Sequence, residues 1–283
     1  GNQMISKNRL SLLFIILSAF IVSSCVTTGT LNYAPSGSVR LYEIPEDWKS
    51  DNGKDKAFEK FGKYLDGIKI FIDAGHGGDD RKNKSGSGKV VEADINLRVA
   101  LALKDYLENS GAVVFMSRTG DQTVDLVRRP QMANEINADI FVSIHHNASP
   151  SYENDWTNYT STFYHAREND SVYIPASRNM AKFVQRELAY AVRNSGGLGS
   201  FDGTYSDYVI YPDKGFAVLR LAEMPSILVE CAFFNHFNEE QRLQIEEFNR
   251  IEAWGIYKGI GRYFLNRIPK IELLKEQSVL KAG

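Results

Sequence analysis

Three apolar, β-type runs in this chain each end in a side chain able to bind a metal or move a proton. Ile68 to Ile72 runs into Asp73-Ala74-Gly75-His76-Gly77-Gly78. Ile140 to Ile144 runs into His145-His146-Asn147-Ala148, and Ile227 to Val229 runs into Glu230. Runs this apolar read as strands buried on both faces, which is the pattern of parallel sheets covered by helices. In open α/β sheets, ligands bind beyond the carboxyl ends of the strands. The three runs therefore deliver two His and one Glu to one edge of one sheet. Glu92 opens a long amphipathic segment soon after the first His and is a fourth candidate.

The remainder alternates between strand and helix patterns. Short helical spacing appears over Phe58 to Leu65, before the Asp66-Gly67 turn into the first strand. Ile95, Val99, Ala102, Leu103, Tyr106 and Leu107 give Glu92 to Ser110 a helical period, stopped by Gly111. Val113 to Met116 reads as a strand, and a helix is expected within Pro130 to Asn137. Ala138 to Ile144 and Ser161 to Tyr164 read as strands, Ala176 to Asn194 as a helix, and Ser226 to Val229 as a buried strand. One or two helices follow from Asn238 through Leu265. The predicted fold class is α/β, a single domain with a mostly parallel central sheet flanked by helices on both faces. Ser149 to Tyr159 and Gly196 to Asp213 are long and irregular, and are expected to wall an open groove. The second stretch offers Tyr205, Tyr208 and Tyr211 for stacking on sugar or bonding to peptide, or simply for packing the loop.

The N-terminus reads as an export signal. Lys7 and Arg9 form a positive region, and Leu10 to Val22 is apolar but short for a membrane span. The stretch ends in Val22-Ser23-Ser24-Cys25, small residues before a Cys, which resembles the cleavage box of bacterial lipoproteins. On that reading residues 1–24 are a signal peptide, Cys25 carries lipid, and residues 25–56 form a polar membrane tether. Only two Cys occur, so a lipidated Cys25 leaves Cys231 without a disulfide partner. The formal net charge of -2 offers no electrostatic basis for binding nucleic acid.

A catalytic zinc takes three protein ligands from His, Glu or Asp and keeps a position for water, while a separate carboxylate moves the proton. His76 between two Gly, Glu92 at a helix start, His145 at a strand end and Glu230 at the end of an apolar strand satisfy this demand. Taken singly, each has a plainer reading: an exposed turn His, an acid favoured by the helix dipole, or a hydrogen-bonded core His for either of His145 and His146. Glu230 is the hardest to set aside, because a carboxylate ending a core strand is costly without a purpose and should titrate high. Cys231 faces opposite Glu230 by strand alternation and reads as a small core residue. His165 and His236 read as surface or structural.

These segments resemble the zinc-dependent N-acetylmuramoyl-L-alanine amidases, which cut peptidoglycan between muramic acid and the stem peptide. The resemblance rests on Ile72 to Gly78, on Glu92 with Ile95-Asn96-Leu97, and on Ser117-Arg118-Thr119 with Asp121. It continues through Arg129 with Ala133-Asn134, Ala138 to His145, Asn147-Ala148, and Pro225 to Glu230 with Phe234-Asn235. It implies a twisted central sheet and a catalytic domain over residues 57–267, followed by a C-terminal tail at 268–283. It also implies a Zn²⁺ held by His76, Glu92 and His145, with Glu230 as general base. His146 falls where the family varies and is placed behind the metal or facing substrate, together with Asn147. A peptidoglycan substrate, a lipid anchor in a membrane facing the periplasm, and an unidentified activator complete the expectation. Departures are Cys231-Ala232 after Glu230, Pro130 inside the expected helix, and the lead-in to Thr162-Phe163-Tyr164. A zinc peptidase or deacetylase, or a lipoprotein that binds peptidoglycan without cutting it, are the competing functions.

Overall fold

Alternating β-branched and aromatic residues build a six-stranded sheet in the order β2-β1-β3-β6-β4-β5. Its strands are β1 (Lys69–Ala74), β2 (Val113–Met116), β3 (Ile140–Asn147), β4 (Ser161–Tyr164), β5 (Thr204–Ser206) and β6 (Ser226–Phe233). β2, β1, β3 and β6 are parallel, whereas β4 runs antiparallel to β6 and carries β5 parallel to itself. The structure, a computed structural model, describes residues 41–150, 157–166, 173–192 and 203–280.

Side chains alternate across this sheet and separate two cores. Ile70, Ile72, Ile140, Val142, Ile144, Ile227, Val229 and Cys231 face the larger core. There they meet α2 (Asp51–Leu65), α3 (Glu92–Glu108), α5 (Tyr173–Val192) and α8 (Glu246–Leu280). Phe71, Phe141, Phe163 and Leu228 face a smaller core with Ala133 of α4 (Arg128–Glu135) and Val218 and Leu219 of α6 (Ala217–Arg220). Phe71 and Phe141 stack there with centroids 5.8 Å apart. Helices thus cover both faces of a mostly parallel sheet.

Several boundaries differ from the sequence reading. Residues 41–56, assigned to the tether, belong to the folded body. α1 (Glu46–Lys49) and α2 precede Ala57, and Ser50 caps α2 by accepting from Gly53 N at 3.1 Å. Tyr42 is buried against Phe248, Trp48 Nε1 donates to Tyr106 Oη at 2.8 Å, and Leu41 O accepts from Arg242 Nε at 2.8 Å. A few aromatic anchors hold this segment, although its average composition is polar. Residues 268–280, expected as a tail, continue α8. Pro130 does not delay α4, because it sits in the first turn, where its missing N–H has no partner to lose. β3 and β6 run past their apolar stretches, to Asn147 and Phe233, and β5 forms inside a segment read as irregular.

Candidate active site

Strand alternation and register place the chemistry. His145 lies on the same face of β3 as Phe141 and Ser143, and its partner across the ladder is Glu230 of β6. One strand further, Asp73 of β1 pairs with Ser143. Beyond Ala74 the chain turns through His76, Gly77 and Gly78 at φ of 59°, 114° and 58°. For His76 this left-handed conformation costs on the order of 1–3 kcal/mol. Two buried guanidiniums hold it. Arg118 donates to Ala74 O and Gly75 O, both at 2.8 Å. Arg129 donates to Asp73 Oδ1 and Ala74 O at 2.7 Å and to His76 O at 2.9 Å. Burial pushes the Asp73 carboxyl up, but the charge of Arg129, then of His145, brings it below its ordinary value. Gly75 allows the close approach these groups need, since a Cβ there would overlap the His145 ring.

Three side chains converge in front of that turn. His76 Nε2 lies 3.1 Å from Glu92 Oε2, and His145 Nδ1 lies 3.1 Å from Glu92 Oε1. Metal-ligating atoms of the three residues all fall within 4.8 Å of one another. Two imidazoles and one carboxylate are a donor set that suits zinc. Asn83 Nδ2 donates to Glu92 Oε2 at 2.7 Å and lies 3.3 Å from His76 Nε2. Asp80 Oδ2 lies 2.7 Å from His76 Nδ1 and fixes the ring, the usual role of a carboxylate behind a ligand His. Burial disfavours charge on His76, yet hydrogen bonding and charge from Glu92, then Asp80, raise it to about 9. Burial would likewise raise Glu92, but hydrogen bonds from His145 and His76 hold it well below the usual carboxylate range.

Glu230 stands beside this cluster without a hydrogen-bond partner for its buried Oε2. Desolvation, then the charge of Glu92, raise its carboxyl to about 8 against the opposing pull of His76. Cluster and Glu230 share a pocket of 620 Å³. Val124, Leu126 and Arg129 line one side, and Tyr211, Lys214, Phe216 and Arg220 line another. The second wall is pinned by Asp207, which is fully buried and accepts from Phe216 N at 2.8 Å, with His165 Nδ1 2.9 Å away.

His146 borders this pocket, but its ring turns away from it. Its ring is fully enclosed on the opposite side of β3, 2.7 Å from Asn96 Oδ1 and 3.3 Å from Glu252 Oε1. Of the two expectations for His146, behind the metal or facing substrate, the enclosed ring fits the first. Asn147 lines the pocket and turns Oδ1 to Ala148 N. Of the three tyrosines, Tyr211 lines the pocket, Tyr205 packs on Phe163, and Tyr208 packs on His165. Cys231 is a buried core residue whose thiol desolvation pushes well up. His236 caps α7 (Phe237–Leu243). Cys25 lies outside the described residues, as do 151–156 and 196–202 of the two expected loops. Asp80 and Asn83 were not singled out from sequence. An acid four residues after His76, in a turn closed by Gly77 and Asp80, was the available signal for the first.

A metal-type donor set beside an unpartnered carboxylate, at the carboxyl edge of a parallel sheet, is the arrangement of a metal-assisted hydrolase. The sequence signature of the N-acetylmuramoyl-L-alanine amidases matches residues 70–262, and the chain belongs to that family. A germination-specific N-acetylmuramoyl-L-alanine amidase of Bacillus subtilis is 31% identical over 72% of this chain and 82% of its own length. The amidase AmiC of Escherichia coli is 29% identical over 70% of this chain and 53% of its own. The crystal structure of an N-acetylmuramoyl-L-alanine amidase from Clostridium difficile superposes with a TM-score of 0.60 at 31% identity, covering 71% of this chain and 99% of the other. The chain is accordingly an amidase acting on peptidoglycan, built as one α/β domain.

Proposed function

We propose that this amidase cuts the bond between N-acetylmuramic acid and L-alanine of the stem peptide with a Zn²⁺ held by His76, Glu92 and His145, and with Glu230 as the general base. The observation that carries the reading is the placement of Glu230. A half-buried carboxylate whose enclosed Oε2 has no hydrogen-bond partner stands one strand from His145, over the pocket that holds all three donors. Bound zinc would polarise the scissile carbonyl and acidify a water molecule. Glu230 accepts the proton of the attacking water and returns it to the departing amine of L-alanine. Asp80 and Asn83 keep His76 and Glu92 in their converging orientation. Arg118 and Arg129 fix the strained turn that presents His76. The wall from Tyr211 to Arg220 offers an aromatic ring and two cationic groups to a sugar–peptide chain.

Digestion of purified cell wall, followed by mass analysis of the fragments, tests the reaction. Free stem peptides with an L-alanine amino terminus are the expected product. Cuts within the stem peptide, or loss of acetyl groups, would assign the same site to a peptidase or a deacetylase instead.

Zinc affinity should depend on pH in a defined direction. A ligand imidazole must be neutral, so the proton on His76 has to leave when metal binds. With His76 titrating at about 9 in the metal-free site, apparent affinity is expected to rise about tenfold per pH unit from about pH 6.5 to about 8.5. The measurement is competition with a chelator, corrected for the chelator's own protonation. A flat profile would remove His76 as a protonated ligand.

We also assign residues 1–24 to a signal peptide and Cys25 to lipid attachment, on the positive start, apolar stretch and small residues before Cys25. The anchor would hold the enzyme at a membrane facing the wall it cuts. Protein recovered from a bacterial membrane fraction is expected to begin at an acylated Cys25 by intact mass. An unmodified soluble product would refute the anchor.

A further inference from the structure

Behind the catalytic face of the sheet lies a second group of ionisable side chains. His146, Cys231 and Glu252 are all buried, and their polar atoms lie within 4.8 Å of one another. His146 and Cys231 neighbour His145 and Glu230 in sequence but point to the opposite side, towards α3 and α8. An apolar core normally excludes such groups, since a buried carboxylate is costly unless it is paired. The reaction as derived above makes no use of them.

Their hydrogen bonds lead to one place. Glu252 Oε2 accepts from Asn249 Nδ2 at 3.1 Å, and its Oε1 lies 3.3 Å from His146 Nε2. His146 Nδ1 lies 2.7 Å from Asn96 Oδ1. Asn96 Nδ2 donates to Glu92 Oε1 and to Gly75 O, both at 3.3 Å. Because the Asn96 amide nitrogen is turned to those two oxygens, its Oδ1 must accept, and the proton lies on His146 Nδ1. The backbone N–H of His146 adds a bond to the same Glu92 Oε1 at 3.2 Å. Glu92 and Asn96 are one helical turn apart on α3, so an Asn96 locked in place fixes the carboxylate above it. Without that lock Glu92 would keep only Asn83 and the His146 backbone N–H as donors outside the cluster, and its carboxylate would be held less firmly against His145.

We propose that Glu252, His146 and Asn96 form a positioning chain that runs through the sheet and sets the orientation of Glu92 as a metal ligand. The inference rests on the assignment of Glu92 to the zinc site. Groups that orient a ligand typically change metal affinity by about 10–100-fold when removed. The chain is a property of these particular residues, and it gives the buried His–Glu pair a purpose that packing alone does not.

Removing His146 alone would strand a buried carboxylate, so the test uses the double variant His146→Leu/Glu252→Leu, which removes both polar groups together. It is expected to fold and to melt, metal-free, somewhat below the unaltered protein, because Asn96 Oδ1 and Asn249 Nδ2 lose their partners. Its zinc affinity by chelator competition should nonetheless fall about 10–100-fold. It should still take up one zinc at saturation, with a lowered kcat and an unchanged KM. His146→Asn/Glu252→Leu restores a donor near the position of Nδ1 and should recover most of the lost affinity. Affinity and kcat equal to those of the unaltered protein in the first variant would show that the group only packs the core, and would overturn the proposal. So would a failure of the Asn variant to recover affinity. Two zinc ions per unaltered chain, falling to one in the double variant, would make His146, Cys231 and Glu252 a metal site and also overturn it. Glu92→Ala is the control: if it keeps full zinc affinity, the zinc assignment itself is wrong and this inference falls with it, irrespective of the double variant.

Discussion

Glu230→Gln is expected to keep its zinc and lose at least about a hundredfold in turnover, the scale of a lost general acid–base group. The substitution preserves volume and polarity at a position where one oxygen already lacks a partner, so folding should survive it. What disappears is the ability to take a proton. The position is suited to that task because burial, and then the negative Glu92, raise the carboxyl to about 8. Steady-state rates on wall fragments, with zinc content measured on the same sample, check the expectation. Turnover near that of the unaltered enzyme would remove Glu230 from the reaction.

His145→Ala is expected to lose metal and activity together. Of the proposed ligands it is built most firmly into the sheet, lying inside β3 beside Glu230. Its removal subtracts a donor and also a partner that stabilises the charged form of Glu92. Zinc affinity should fall by more than about a hundredfold, beyond what loss of an orienting group produces. Metal analysis after dialysis against a weak chelator distinguishes the two cases. The outcome that would defeat the assignment is a His145→Ala protein that retains stoichiometric zinc.

The site was legible where it coincided with the ends of apolar runs. His76, His145 and Glu230 follow three such runs, and Glu92 opens a helix whose period is plain. The structure brings all four to one pocket. The orientation of His146 was not legible, because the apolar run stops at Ile144 while the backbone ladder continues to Asn147. Main-chain pairing fixes side-chain direction there, and pairing leaves little trace in hydrophobicity. Asp80 and Asn83 were hidden for a different reason. They act from a turn whose path is set by positive φ angles and by arginines distant in sequence. The segment from 41 to 56 reads as polar on average, yet Tyr42 and Trp48 dock it against residues more than fifty positions away. Sparse anchors of this kind escape any argument from composition. Tyr205 and Tyr208 were grouped with Tyr211 by type, but a short strand and the turn after it send their rings elsewhere.

The pairing of β3 with β6 also bears on how this enzyme comes to be active at all. Its register sets His145 opposite Glu230. A slip of one residue in either strand exchanges the two faces of that strand. In β6 it would drive Glu230 into the apolar core and turn Cys231 towards the pocket. A mispaired chain would therefore be unstable and unable to cut. Armed and correctly folded are the same condition here, so a molecule that has not finished folding has no means of cutting peptidoglycan.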